Sequence, residues 1–155
     1  MILVREPKEK DLMHFTRYAI EHFRLTLKNG SSEAPDNEAL RERKFWAADQ
    51  LFANSDHQRL LVAEREGEVL GYILGTVDRD VNGRLCGCVE EIFVDEFYRR
   101  EGVGTTLCRE LMEWMQGKEV EGIRLNLLAG YPRAAAFFEA IGFTPLNTLY
   151  KWNPE

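Results

Sequence analysis

Nineteen residues in the middle of the chain, Val89 to Leu107, restrict what it can fold into more than any other stretch. Val89-Glu90-Glu91-Ile92-Phe93-Val94-Asp95 reads as a buried strand that carries two carboxylates. Glu96 to Gly104 reads as a short basic turn with two glycines, and an amphipathic helix opens around Thr105 with Val103, Leu107, Leu111 and Trp114 on one side. A strand that feeds a helix through such a turn makes an anion site. The first N–H groups of the helix have no internal partner and sit at the positive end of its dipole. Gly102 and Gly104 put no Cβ in the way of an approaching phosphate, and Arg99 and Arg100 can pair with its oxygens two at a time. Two other glycine-loop readings fail. A dinucleotide fingerprint needs a third glycine where Leu107 stands, and a Walker loop needs a lysine where Thr105 follows Gly104.

The rest of the chain supplies the layers around this unit. Ile2–Arg5 reads as a short strand ended by Pro7, and Leu12, Phe15, Ala19, His22 and Phe23 recur at helical spacing to about Leu27. Residues 28–37 form a polar loop. A second helix follows, capped by Asp36 or Asn37, with Leu40, Ala47, Ala48, Leu51 and Phe52 apolar. Arg59–Glu64 and Val69–Val77 are two strands joined at Glu66-Gly67, and Asn82-Gly83 predicts a type I′ hairpin into a fourth strand from near Cys86. The third helix runs to about Met115 and stops at Gly117. Ile123–Leu128 is a fifth strand, parallel to the fourth because a helix separates them. A fourth helix spans Pro132 to Gly142, and Phe143 through Trp152 supplies the remaining strand or strands. The expectation is one α/β domain over residues 1–155: a mixed, mostly antiparallel sheet of six to seven strands flanked by about four helices.

Composition narrows the function classes. With 45% hydrophobic and 30% charged residues over 155 positions, the chain can bury a core of its own. A formal charge of −6 argues against nonspecific nucleic-acid binding and favours a cationic partner. The N-terminus turns charged too early for a signal peptide, and no apolar run is long enough for a bilayer. Three cysteines fit reduced thiols in a cytoplasm. Cys86-Gly87-Cys88 has no second cysteine pair, and His14, His22 and His57 read as surface residues, so no metal site is expected. Cys108, on the buried side of the third helix, has no visible base to make it a nucleophile.

The residues that can carry chemistry are the two acids. On a regular strand Glu90 and Glu91 point to opposite faces, so at least one must face a cleft. A carboxylate near apolar walls has a raised pKa, which suits a base near neutrality. Whichever of Glu90 and Glu91 faces the cleft then either takes a proton or holds a cation. Ile92, Phe93 and Val94 read as core by residue type.

Arg99-x-x-Gly102-x-Gly104 resembles the Arg/Gln-x-x-Gly-x-Gly/Ala signature of the GCN5-related N-acetyltransferases (GNAT family). The Glu-Glu-Ile-Phe-Val strand resembles that family's fourth strand, and Ala134-Ala135-Ala136-Phe137-Phe138-Glu139-Ala140-Ile141-Gly142-Phe143 resembles its closing segment. The likeness is specific over the second half and holds in element order over the first. It implies acetyl-CoA as cosubstrate, with pyrophosphate held by Arg99, Arg100, Glu101, Gly102, Val103, Gly104 and Thr105. It also implies that strands 4 and 5 splay, and that backbone groups of Ile92, Phe93 and Val94 pair with the pantetheine arm. An amide at Ile92 or Phe93 would polarise the thioester carbonyl. Glu90 falls where relatives place a base for the amine, and Ala134 and Tyr131 fall near the cofactor. Tyr131 reads equally well as an aromatic packed at a helix start. Phe138 departs from the family's tyrosine, proposed to protonate the leaving thiolate, and has no proton to give. The first two helices and their loop shape the acceptor pocket in that family. The implied activity is direct acetyl transfer to a small cationic amine or a protein amino group, without metal or membrane, and a homodimer is compatible with it. The alternatives are a noncatalytic acyl-CoA-binding module or an interaction domain on the same fold.

Overall fold

A computed structural model describes residues 1–30, 35–127 and 132–154. Among these residues five strands form one sheet in the order β1-β2-β3-β4-β5: β1 (Leu3–Arg5), β2 (Gln58–Arg65), β3 (Glu68–Arg79), β4 (Leu85–Val94) and β5 (Gly122–Leu125). β1 to β4 pair antiparallel in succession, and β5 runs parallel to β4. Helices α1 (Leu12–Gly30) and α2 (Asn37–Leu51) cover one face, and α3 (Val103–Gly117) and α4 (Pro132–Ile141) the other. Asp36 is the cap of α2, its side chain accepting from the Ala39 N–H at 2.8 Å. Among the described residues no helix is long and apolar enough to cross a membrane.

The pleat sorts the side chains between the two faces. Leu60 and Val62 point to the α1/α2 side and pack with Phe15, Tyr18, Ala47 and Tyr72. Leu61 and Ala63 point to the α3/α4 side and pack with Leu107, Leu111, Met115 and Phe138. Glycines let α3 sit close to the sheet. A Cβ on Gly75 would lie 2.7 Å from both Leu111 and Met115, and one on Gly87 would lie 2.6 Å from the Met115 sulfur.

The turns differ from expectation. The two-residue hairpin is at Glu66-Gly67, where φ is +52° and +84°, the left-handed pair that a type I′ turn needs. At Asn82-Gly83 only Gly83 has positive φ (+76°), and Asp80 organises a longer loop by accepting from the Asn82 and Arg84 N–H groups at 2.8 and 3.0 Å. Helix α3 starts two residues earlier than the pattern suggests, at Val103.

The sheet is also shorter than the six to seven strands expected. β5 stops at Leu125, and residues 143–154 carry no strand. Leu146, Leu149, Tyr150 and Trp152 are 72–96% exposed. A strand is held by the neighbour it pairs with, and among the described residues this segment has none.

Candidate acetyl-transfer site

β4 is built from two halves. From Cys86 to Val89 it pairs with β3 on one side and β5 on the other. Beyond Val89 the β5 pairing ends, while β4 continues to Val94 along β3 alone. Residues 90–94 therefore present a free edge among the described residues, as expected of splayed strands. Alternation along an antiparallel ladder tells which groups lie on that edge. The Asp95 N–H donates to the Leu70 carbonyl at 2.9 Å, so Phe93 also turns its backbone to β3, and Ile92 and Val94 turn theirs outward. Of the two amides considered for the thioester, Ile92 is on the open side and Phe93 is not. Phe93 is 4% exposed, and its side chain packs against Tyr18 and Tyr72. Val94 offers its N–H, while its carbonyl accepts from Arg99 Nε at 3.3 Å.

Past β4 the chain turns through a short 3₁₀ segment, Glu96–Tyr98, whose start is held by Asp95 Oδ1 accepting from the Phe97 N–H at 3.0 Å. Arg99 and Arg100 are exposed, and Arg100 sits at φ +70°. The Glu101 carboxylate pairs with Arg65 at 3.1 Å. Gly102, the residue before α3, has φ +84° and open space where a Cβ would be. It makes no side-chain cap, and the first turn of α3 holds no acid. The leading N–H groups of Val103, Gly104 and Thr105 thus keep their polarity for an anion. The side chain of Val103 is core, 1% exposed, so only its backbone can serve. Gly104 is tighter: a Cβ there would lie 3.1 Å from the Phe137 ring of α4, so a larger residue has to displace that ring. Ala134 is half-buried on α4, and Tyr131 lies outside the described residues.

The acids do not point to opposite faces. Leu74 pairs with Glu91 and Gly75 with Val89, so Glu90 is an extra residue, a β-bulge. Both carboxylates then meet β3 residues of one face. Glu90 accepts from Thr76 Oγ1 at 2.8 Å, and Glu91 accepts from the Tyr72 hydroxyl at 2.6 Å. Their surroundings differ sharply. Glu90 is exposed, without the apolar walls expected of it. Glu91 is half-buried and fully engaged: Arg43 of α2 donates to it through both terminal nitrogens, at 2.6 and 3.0 Å, and His22 Nδ1 lies 3.5 Å away. His22 is thus part of this cluster, not a surface residue. Burial lowers its pKa, Arg43 lowers it further, and Glu91 partly opposes them. Burial and then Glu91 hold the Tyr72 phenol far above its ordinary range, so it stays protonated and donates. Sequence reasoning did not single out Arg43, Tyr72, Thr76 or this role of His22, because their spacing along the chain carries no sign that they meet.

Burial disfavours the thiolate form at Cys88 and Cys108. Burial, with Glu90 close by, pushes Cys88 up to about 11, and burial pushes Cys108 up to about 12. Phe138, where the resembling family has its phenol, is 4% exposed and held edge-on between Phe137 and Phe143.

The fold recurs in solved structures. A transcriptional regulator from Bacillus halodurans C-125 matches with TM-score 0.78 at 19% identity, covering 99% of each chain. An acetyltransferase, so described provisionally, from Pyrococcus furiosus matches with TM-score 0.77 at 19% identity, again over 99% of each. The aminoglycoside N-acetyltransferase AAC(6')-Iy in complex with CoA matches with TM-score 0.77 at 16% identity, over 99% of this chain and 94% of that one. At these identities the likeness is one of fold. No curated protein sequence matches. The family model described as "Acetyltransferase (GNAT) family" matches residues 20–143, four-fifths of the chain, and the chain belongs to that family.

Proposed function

We propose that this protein transfers an acetyl group from acetyl-CoA to a primary amine by direct attack in a ternary complex. The observation that carries the reading is the bulge at Glu90. It sets an exposed carboxylate beside the free edge of β4, and that edge leads into the uncapped N-terminus of α3. Acetyl-CoA supplies the activated acyl group. Arg99, Arg100 and the N–H groups of Val103, Gly104 and Thr105 grip its pyrophosphate. Ile92 N–H and C=O and Val94 N–H take the pantetheine arm as an added strand would be taken, with the Ile92 amide aimed at the thioester carbonyl. The Glu90 carboxylate attracts the ammonium form of the acceptor and takes one proton from it; the lone pair so freed bonds to the acyl carbon, the carbon–sulfur bond breaks, and the second nitrogen proton passes to the departing thiolate. Among the described residues no phenol stands at position 138, so the thiolate leaves without help from that position.

The acceptor fits a small cationic amine (an aminoglycoside, a polyamine or an amino-acid derivative) or a protein amino group. The chain's charge of −6 favours a cation, and structural neighbours are described as aminoglycoside and ribosomal-protein-alanine acetyltransferases. The test is Glu90→Gln, assayed by thiol release over a panel of amines. At neutral pH kcat is expected to fall roughly 10²-fold, with acetyl-CoA affinity by calorimetry unchanged. A retained kcat with a raised amine KM would make Glu90 a binding group only. Acetyl-CoA binding without turnover on any amine would favour a noncatalytic acyl-CoA module.

A further inference from the structure

Among the described residues, only one of the two adjacent acids at the bulge is neutralised, and a single side chain does it. Arg43 is 9% exposed. Its Nη1 and Nη2 bind Glu91, its Nε donates to the Ala19 carbonyl of α1 at 2.9 Å, and its guanidinium lies 3.7 Å over the Trp46 ring. One planar fork therefore ties α1, α2 and the bulge of β4 together. The groups around the acids are Tyr72 and Thr76 from β3, Cys88 from β4, His22 from α1 and Arg43 from α2. Arg43 is the permanent cation in that set. We propose that Arg43 is a positioning residue for acetyl transfer: by engaging both oxygens of Glu91 it fixes the bulge and cancels one of two neighbouring charges, which leaves Glu90 free to take the amine proton.

This rests on Glu90 being the proton acceptor, and the experiment separates the two claims. Without Arg43, a bare Glu91 carboxylate beside Glu90 makes ionisation of Glu90 harder, because like charges repel. Activity needs the ionised form, so the acid limb of the pH–rate profile moves to higher pH. For Arg43→Gln the expected result is a limb displaced upward by about one pH unit, together with a tenfold or greater loss of kcat at pH 7 that comes from the unfastened bulge, since the displaced limb alone leaves Glu90 ionised there. Acetyl-CoA affinity is expected to hold. In Arg43→Gln/Glu91→Gln the surplus charge is gone, and the limb is expected to return to its wild-type position. Arg43→Lys keeps the charge and covers the case in which the glutamine variant does not fold: its limb is expected to stay in place. The series is repeated with His22→Asn, where no histidine can gain a proton in place of Arg43, and the displacement is expected to be at least as large. A merely structural Arg43 lowers the melting temperature and leaves the limb fixed in every variant, which overturns the proposal. So does a displacement that the double variant fails to reverse. The limb of Glu90→Gln tells the two failures apart. If it vanishes while Arg43→Gln moves nothing, Arg43 alone is misassigned; if it persists unchanged, the assignment of Glu90 falls and this proposal with it.

Discussion

Two arginines bind acids in protected places, at opposite ends of the sheet, and they leave their surroundings in different states. Arg5 on β1 donates to Asp11 through both terminal nitrogens, at 2.8 and 3.0 Å, and to Glu64 of β2 through Nε. Asp11, 2% exposed, also accepts from the Lys8 N–H at 2.7 Å. Every acid in that cluster is consumed, and it fastens the start of α1 to the β1–β2 edge. Arg43 meets two adjacent acids and consumes one. A bulge decides this, because the extra residue turns Glu90 to the same face as Glu91 but beyond the reach of the fork. The same ion-pair chemistry closes one site and leaves the other with a charge to use.

The largest effect expected from breaking this contrast is at Arg5. Arg5→Met leaves Asp11 buried without its partner, and should cost on the order of 3 kcal/mol, the low end for a buried pair because Arg5 is partly open to solvent. The kcat of the folded variant should match wild type, whereas Arg43→Gln should lose kcat. The acid side sharpens the test. Burial by itself would raise the Asp11 pKa, but hydrogen bonds from Arg5 and the Lys8 N–H, with the Arg5 charge, bring it below the ordinary value. A depressed carboxylate stabilises the fold above its unfolded pKa near 4, and that stability is lost as pH falls through the folded value. Arg5→Met removes the depression, so circular dichroism should show acid unfolding with its midpoint moved to higher pH. An unchanged midpoint would contradict this account of the pair.

Periodicity in the sequence is enough to place α1, α3, β2 and β3, since long apolar patterns at one period leave few alternatives. The anion loop was legible because its parts are contiguous: Arg99, Gly102 and the opening of α3 lie within a few residues. The acid pair was not. Alternation predicts opposite faces for Glu90 and Glu91, and a bulge is set by pairing with β3, which no local pattern records. Asn82-Gly83 looked the stronger hairpin, yet Asp80 spans that loop and Glu66-Gly67 makes the tight turn. Arg43 carries no local signal, because its partner Glu91 lies 48 residues away in the chain. The strands expected over 143–152 depend on a pairing partner, which composition does not supply.

A smaller effect separates the two faces of the sheet. Tyr72 on the α1/α2 face is a fully buried phenol whose hydroxyl finds Glu91. Phe138 on the α3/α4 face is equally enclosed, among Leu107, Leu111, Phe137 and Phe143. Phe138→Tyr places a hydroxyl in that apolar cluster, with an expected cost of about 1–3 kcal/mol, read as a lowered melting temperature. Faster turnover with unchanged stability would show instead that the added hydroxyl reaches the leaving sulfur, and that the ring lies nearer the reacting atoms than its burial implies.

The smallest expected effect concerns a third arginine in the opposite circumstances. Arg100 is exposed, and among the described residues its guanidinium meets no acid. Its backbone holds φ at +70°, a left-handed conformation that costs an L-residue roughly 1 kcal/mol and glycine almost nothing. Arg100→Gly therefore deletes the charge without straining the loop, so stability should hold or rise. Gly104 offers no such clean probe, because any side chain there strikes Phe137. If Arg100 grips phosphate, acetyl-CoA should bind about three- to tenfold more weakly to the glycine variant, or up to roughly 1.4 kcal/mol. The loss should shrink as salt is raised, since an exposed charge is screened within a Debye length of about 8 Å at physiological ionic strength. Calorimetry at two salt concentrations reads both. Equal affinity at low salt would remove Arg100 from the site and leave the anion to Arg99 and the N–H groups of α3. In that case the strained φ at residue 100 would serve only to aim the chain into Gly102.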